Sequence, residues 1–167
     1  LPGLTLVISP LISLMQDQVK GLNAAGIHAA FINSSLTETQ IARALDLAAE
    51  GSYKLVYVAP ERLESTVFRS FAAGADISMV TVDEAHCISQ WGQDFRPSYL
   101  KILDFIDSLP RRPIVSAFTA TATREVKDDI VCTLRLHDPK VLVTGFDRPN
   151  LYFQVERTHR KDDFVIQ

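Results

Sequence analysis

Short apolar runs alternate along the chain with stretches whose apolar residues recur every three or four positions. Runs rich in Val, Ile and Leu without strict alternation predict strands that helices cover on both faces. Their alternation with helical patterns predicts βαβ units and a largely parallel sheet. The predicted strands are Leu4–Ser9, His28–Asn33, Lys54–Ala59, Ser78–Val82, Pro113–Thr119 and Lys140–Gly145, with Leu151–Glu156 as an edge strand or a strand leaving the domain.

The ends of the predicted helices carry capping signals. Ser9-Pro10 predicts an N-cap followed by proline at the first helical position. Thr37-x-x-Gln40 predicts a capping box for a helix that ends at Gly51. The first helix is expected to turn Leu11, Leu14, Met15, Val19 and Leu22 to one side, and the second Ile41, Leu45 and Ala48. Further helices are predicted at Glu61–Ala72, Ser98–Ser108 and Arg124–Leu134, the last with Thr123 as its N-cap.

Composition agrees with one ordinary α/β domain. The chain has 167 residues, 47% of them hydrophobic and 22% charged, enough to bury a sizeable core. No apolar run approaches the ~20 residues that span a bilayer, so no membrane partner is expected. The net charge of −3 requires any nucleic-acid binding to use a local basic patch. Cys87 and Cys132 lie too far apart for metal-binding spacing and predict two reduced, buried thiols of a cytosolic protein.

Two adjacent acids, Asp83 and Glu84, follow the mostly apolar run Met79–Val82. The carboxyl ends of parallel strands are where α/β proteins usually bind ligands. One carboxylate there can hold Mg²⁺ through its water shell, and the next can orient or deprotonate the water that attacks a γ-phosphate. The pair alone leaves the alternative of a solvated acidic strand end equally open.

The loop from Trp91 to Arg96 is the second candidate site. Trp91 and Phe95 offer flat faces on which unpaired bases stack, worth roughly 1–3 kcal/mol per base. Arg96 adds a cation, while Gly92 and Pro97 mark a loop. Polar residues surround Trp91, which favours exposure over core packing.

The run from Asp83-Glu84-Ala85-His86 to Tyr99 closely resembles the helicase box and aromatic-rich loop of the RecQ family of DNA helicases. Further blocks resemble that family's motifs in the same order: Ser9–Val19 motif Ia, Ala59–Leu63 motif Ib, Phe118–Thr123 motif III, and Phe146–Leu151 the segment leading to the second motor lobe. The resemblance implies a three-layer RecA-like fold of the P-loop NTPase type, with a mostly parallel sheet flanked by helices.

The resemblance also implies roles for individual residues. Asp83 would be the Mg²⁺ carboxylate, Glu84 the water-activating base, and His86 a bridge to motif III through Thr119 or Thr121. The alternative for His86 is a passively packed histidine, and the alternative for the threonine-alanine run of motif III is a plain strand-to-helix turn. Gln93 stands where the family commonly has histidine; glutamine keeps hydrogen bonding for coupling but cannot carry a proton or a charge.

DNA contact is expected from Trp91, Phe95 and Arg96 of the loop. Ser13, Gln16 and Arg62 are further candidates, because they lie near the starts of the motif Ia and Ib helices, where exposed amides suit a phosphate backbone. The alternative for both helix starts is simple capping, and the two interpretations are compatible.

No Gly-x-x-x-x-Gly-Lys-[Ser/Thr] loop occurs in the sequence. The family places that loop just upstream of Leu1, and the missing initiator Met agrees with a piece of a longer protein. We therefore expect residues 1–150 to be a partial first lobe, truncated at its N-terminal strand, and 151–167 to lead toward a missing second lobe. The isolated piece is expected to bind neither ATP nor Mg²⁺ tightly and to be inactive. Loss of that N-terminal strand is expected to leave a gap in the sheet beside Pro113–Thr119 and Lys140–Gly145. These two strands would then pair directly or recruit a strand from another copy.

The implied function is an ATP- and Mg²⁺-dependent motor that moves 3′-to-5′ on single-stranded DNA and unwinds forked DNA in repair and recombination. The bacterial nucleoid is the favoured location, with the nucleus as the eukaryotic alternative. A rival hypothesis is a non-catalytic nucleic-acid-binding module with a helicase-like shell. An RNA-remodelling helicase is disfavoured by the loop from Trp91 to Tyr99.

Overall fold

The computed structural model describes residues 1–92, 94–145 and 150–152. Its core is one five-stranded sheet in the order β2-β3-β1-β4-β5, and every neighbouring pair is parallel. The strands are β1 (Leu4–Ile8), β2 (Ala29–Ile32), β3 (Leu55–Val58), β4 (Ile77–Val82) and β5 (Ile114–Ala117). The helices are α1 (Ile12–Ala24), α2 (Glu38–Ala49), α3 (Thr66–Gly74), α4 (Lys101–Ser108) and α5 (Arg124–Thr133).

Helices cover both faces of the sheet. Because side chains alternate along a strand, Leu6 and Ile8 of β1 point to one face and Val7 to the other. Leu6 and Ile8 belong to the large core cluster that includes buried residues of α2, α3, α4 and α5. Val7 packs in a smaller cluster with Met15 and Val19 of α1. The predicted three-layer α/β class is therefore confirmed.

Five of the six internal strand predictions are confirmed to within two residues at each end. The sixth, Lys140–Gly145, is wrong. It forms no strand, and Val141, Leu142 and Val143 are 47%, 80% and 69% exposed. A strand requires a neighbour for its backbone groups, and in the described residues β5 pairs with β4 alone. Direct pairing of the two segments is therefore also wrong.

Of the predicted run Leu151–Glu156, only Leu151 and Tyr152 are described, and neither is in a strand. The other residues of that run lie outside the described part of the chain. In that part, no helix is long and apolar enough to cross a membrane.

Local capping rules predicted two helices well. Thr37 and Gln40 form the reciprocal capping box of α2, whose buried residues are Ile41, Leu45 and Ala48. Thr123 accepts a hydrogen bond from the Val126 amide at the start of α5.

Two longer helix predictions need correction, because each begins as a 3-10 turn and only its later part is an α-helix. The 3-10 turn Pro60–Glu64 precedes α3, for which Ser65 is the N-cap, and the 3-10 turn Pro97–Leu100 precedes α4.

The predicted start of α1 is wrong. The N-cap position is Leu11, without a side-chain hydrogen bond, and Leu11 is 41% exposed rather than inward. Ser9 is fully buried and points toward β4 instead. The Ser9 side chain forms a hydrogen bond to a residue distant in sequence, and it does not cap the helix as the local pattern predicted.

Candidate functional site

Strands β1 and β4 end side by side, with Ile8 in register with Val82. Ser9 and Asp83 follow directly, and the Ser9 hydroxyl donates to Oδ2 of Asp83 at 3.1 Å. The other carboxylate oxygen, Oδ1, accepts from the Glu84 amide at 3.0 Å. Tyr99, a buried residue of the 3-10 turn that precedes α4, donates from its hydroxyl to the Asp83 carbonyl at 3.0 Å. Asp83 is thus fixed at the carboxyl edge of the sheet by Ser9 and Tyr99, neither of which the sequence had indicated as a partner of Asp83.

Glu84 turns the chain out of the sheet. Its φ is 47°, in the left-handed region that costs a non-glycine residue roughly 1–2 kcal/mol. The next amide, that of Ala85, donates to the Phe118 carbonyl at 2.8 Å. This bond ties the turn after β4 to the segment that follows β5. Strained backbone of this kind clusters at functional sites, although Arg135 and Asp138 have a similar φ outside this site.

His86 stands between the acidic pair and the segment after β5. Its Nδ1 lies 3.0 Å from the Thr119 hydroxyl and 3.2 Å from Oε2 of Glu84. Thr121 is exposed, and its backbone amide donates to the Thr119 hydroxyl at 3.2 Å. Of the two threonines predicted to meet His86, Thr119 therefore makes the contact, and Thr121 acts one step away through its backbone.

The loop after the helicase-like box is partly exposed and partly tied down. Trp91 is 81% exposed and Phe95 is half-buried. Arg96 donates from Nε and Nη2 to Oδ2 of Asp94 at 3.0 and 2.7 Å. This bond holds the pKa of the Asp94 carboxyl below its usual range and raises the pKa of Arg96. Arg96 is therefore not a free cation but half of an ion pair, and Gln93 lies outside the described residues.

Cys87 is buried beneath this ion pair. Its Sγ lies 3.8 Å from Nε2 of His86 and 3.9 Å from Oδ2 of Asp94. Burial, and then the negative charge of Asp94, raise the pKa of the Cys87 thiol to about 11. Both cysteines are free thiols, but Cys132 is exposed, so the prediction that both are buried holds for Cys87 alone. Position 132 turns outward on α5, whose inward residues are Val126 and Ile130.

The remaining candidates for DNA contact lie along the same edge of the sheet. Ser13 and Gln16 are exposed on α1. Arg62 is more enclosed: Nη2 donates to the Asn33 carbonyl at 3.4 Å, Nη1 lies 3.8 Å from Glu38, and Nε is buried without a partner among the described residues. Ser13 and Gln16 are thus open to a ligand, whereas Arg62 is already used in packing.

The residues at this edge fit a hydrated magnesium ion. Each carboxylate oxygen of Asp83 accepts one hydrogen bond, which leaves a lone pair for water of a hard cation. The phosphate-cradling loop has no counterpart in the sequence.

An open cavity of about 740 Å³ lies at the opposite, amino-terminal edge, lined by Gly3, Lys54 and Asp76 among others. It is remote from these groups, so the geometry of the carboxylates, not the cavity, defines the site.

Known proteins resemble this chain in sequence and in fold. The sequence model of the DEAD/DEAH box helicase family matches residues 2–129. The ATP-dependent DNA helicase RecQ of Bacillus subtilis is 50% identical over 163 residues, which cover 98% of this chain and 28% of that protein. RecQ of Pasteurella multocida is 47% identical over 93% of this chain and 24% of its own length. The chain thus spans about a quarter of the length of these relatives.

Solved structures give the same fold at lower identity. The Pyrococcus furiosus Hef helicase domain superposes with a TM-score of 0.59 and 17% identity, covering 80% of this chain and 28% of that one. This likeness concerns the fold alone.

Proposed function

The chain belongs to the DEAD/DEAH box helicase family, as a RecQ-type sequence, and on this premise we propose that it supplies part of the ATP-hydrolysing and DNA-responsive machinery of an ATP-dependent DNA helicase. The observation that carries the proposal is the contact of His86 with both Glu84 and Thr119. This contact links the acidic pair to the segment after β5, so that a displacement of the acidic pair is transmitted to that segment, and the reverse.

Asp83 would hold Mg²⁺ through water, and its two hydrogen bonds keep the carboxylate oriented at the edge of the sheet. Bound Mg·ATP supplies the phosphoryl group that is transferred to water. Glu84 orients that water and accepts its proton. Its turn holds the side chain beside His86, which passes any movement on to Thr119 and, through the backbone, to Thr121.

The loop responds to DNA. Trp91 stacks on an unpaired base, and half-buried Phe95 extends the platform when the loop moves. A phosphate competes with Asp94 for the Arg96 guanidinium, which loosens the ion pair over Cys87 and His86. Ser13, Gln16 and, after release from its packing, Arg62 contact the backbone of single-stranded or forked DNA, and Gln93 takes part in the coupling.

We further propose that residues 1–150 form a partial first motor lobe and 151–167 the connection toward a second. A polypeptide of these 167 residues then hydrolyses no ATP and binds ATP and Mg²⁺ weakly, since it lacks the phosphate-cradling loop. Movement of the whole protein is 3′-to-5′, at the nucleoid or in the nucleus. Within the described residues β5 is the last strand of the sheet, and its outer edge would let this polypeptide associate with a second copy by strand pairing.

A DNA-stimulated ATPase assay tests the proposal. The 167-residue polypeptide should show no turnover, whereas the longer natural protein should be active and lose activity with Glu84→Gln. Trp91→Ala should weaken single-stranded DNA binding roughly 5- to 150-fold, from the ~1–3 kcal/mol of one stacked base. Val67→Ala, at a 53% exposed apolar residue of α3, is the control that should change nothing.

The alternatives give different results. A longer protein that binds DNA without turnover would establish the non-catalytic binding module. Equal competition by RNA and DNA would favour the RNA-remodelling helicase. Turnover by the 167-residue polypeptide comparable to that of the longer protein would contradict the proposed inactivity.

A further inference from the structure

We propose that His86, Cys87 and Asp94 form a binding site for a zinc-type transition-metal ion, at the junction between the acidic box and the aromatic-rich loop. The site is separate from the magnesium role of Asp83. It uses the opposite ring nitrogen of His86 from the one that faces Glu84 and Thr119.

Three ligand atoms of the types that zinc prefers converge here. The Cys87 Sγ lies 3.8 Å from the His86 Nε2 and 3.9 Å from the Asp94 Oδ2, and all three atoms lie within 4.8 Å of one another. Zinc bond lengths in tetrahedral geometry require separations of roughly 3.4–3.6 Å between such atoms. Cys87 and His86 are therefore nearly in place, and the Asp94 carboxylate closes the set by moving about 1 Å.

The required movement falls on the residue that is free to make it. Cys87 is 1% exposed and is fixed in the core cluster, whereas the side chain of Asp94 is 54% exposed on a loop. The exposure of the Asp94 side chain gives water access to a fourth ligand position. Three protein ligands and one water complete a tetrahedral zinc site.

The surroundings of His86 provide a second, independent argument. Metal-binding histidines almost always donate their other ring N–H to a carboxylate or another oxygen, which fixes the tautomer that exposes a lone pair to the metal. Here Nδ1 faces Oε2 of Glu84 at 3.2 Å and the Thr119 hydroxyl at 3.0 Å. With the proton on Nδ1, the lone pair of Nε2 points toward Cys87.

The chemistry selects the kind of ion. A thiolate and an imidazole suit Zn²⁺ or Co²⁺ and not Mg²⁺, which binds through hard oxygen ligands. As the sulfur–metal bond forms, the Cys87 thiol releases its proton to solvent, because a coordinating thiol is deprotonated. Asp94 at the same time gives up its hydrogen bonds from Arg96. An occupied site would fasten the loop to the acidic box.

Cobalt titration of the purified protein tests the site, because a Co²⁺–thiolate bond gives a charge-transfer band in the near ultraviolet. We expect one equivalent of Co²⁺ to produce the band and Zn²⁺ to displace it. Cys87→Ser should abolish the band, and Cys132→Ser, the matched control at the exposed thiol, should retain it. A band that disappears with Cys132→Ser, or no band at all, would overturn the proposal.

Two exposed variants keep the test decisive even if Cys87→Ser does not fold. Asp94→Asn should weaken Co²⁺ binding at least tenfold, because it removes an anionic ligand. Arg96→Gln should strengthen binding severalfold, because it removes the cation that competes for Asp94. Unchanged affinity in both variants would show that Asp94 is no ligand and would refute the three-residue site.

Discussion

Replacing Gly92 with alanine should reveal how tightly the loop is seated on the acidic box. A Cβ at position 92 would overlap the carbonyl oxygen of His86 and lie 3.1 Å from that of Ser89. Both oxygens belong to the backbone around the 3-10 turn Ala85–Ile88, which the buried Cys87 and Ile88 anchor in the core. Neither oxygen can rotate away as a flexible side chain would.

The size of the effect follows from this overlap. Ordinary van der Waals contact is restored only by a backbone shift of about 1 Å. Overpacking of this kind costs ~1–3 kcal/mol. For a domain of this length, 2 kcal/mol corresponds to a melting temperature lowered by roughly 4–8 °C.

The matched control is Gly21→Ala. Gly21 lies inside α1, and a Cβ there meets nothing within 4 Å. Alanine in place of a helical glycine should therefore stabilise the protein by ~0.5–1 kcal/mol. Thermal unfolding followed by circular dichroism measures both variants. A local displacement is measured by the rate at which a thiol reagent reaches Cys87, in a Cys132→Ser background.

One combination of results would rule out this placement of the loop. If Gly92→Ala unfolds at the unmodified protein's temperature and Cys87 stays equally protected, the loop is not seated against His86 as described. A normal melting temperature with faster reaction of Cys87 would instead show that the loop has lifted while the core remained intact.

Three further predictions concern the same region. Ser9→Ala should cost ~1.5–3 kcal/mol in urea unfolding, because it leaves the Asp83 carboxylate without its buried hydroxyl partner. Tyr99→Phe should cost about 1 kcal/mol by the same measurement, through loss of the hydrogen bond to the Asp83 carbonyl. At pH 8, iodoacetamide should modify Cys132 and spare Cys87, whose pKa is raised to about 11 from 9.0. Because the folded pKa is the higher one, the stability that protonated Cys87 contributes is complete below pH 9 and is lost as pH rises toward 11. If Cys87→Ser and the unmodified protein show the same loss of stability at alkaline pH, Cys87 does not contribute this pH-dependent stability.

Local rules predicted the local structure. Thr37 and Thr123 cap their helices as expected, because a cap involves residues only three positions apart. Most strands follow from apolar runs, since a strand covered on both faces needs apolar side chains throughout. Lys140–Gly145 has the same composition but no neighbour in the described residues, and composition does not reveal pairing. The strand order likewise depends on contacts between distant segments.

The site was predicted unevenly for the same reason. Asp83, Glu84 and His86 came from a contiguous motif, and the partner of His86 was narrowed to two threonines. Ser9 carried a capping signature, and its bond to Asp83 lies across the sheet, so only the fold reveals it. The Asp94–Arg96 pair has a weak signal, opposite charges two positions apart. Nothing in the sequence indicated the contacts of Cys87 with His86 and Asp94.

The position of β1 has a consequence for how the protein is made. Among the described strands β1 is synthesised before the others, yet it lies in the middle of the sheet. Its neighbour β4 ends where Asp83 follows, 74 positions after Ser9. At a synthesis rate of about 5–20 residues per second, β1 waits roughly 4–15 s before its second partner exists. During that interval its apolar Leu-Thr-Leu-Val-Ile sequence has no completed sheet to enter. The nascent chain should therefore depend on chaperones that shield apolar segments, and a slowed ribosome between Val58 and Ile77 should increase aggregation.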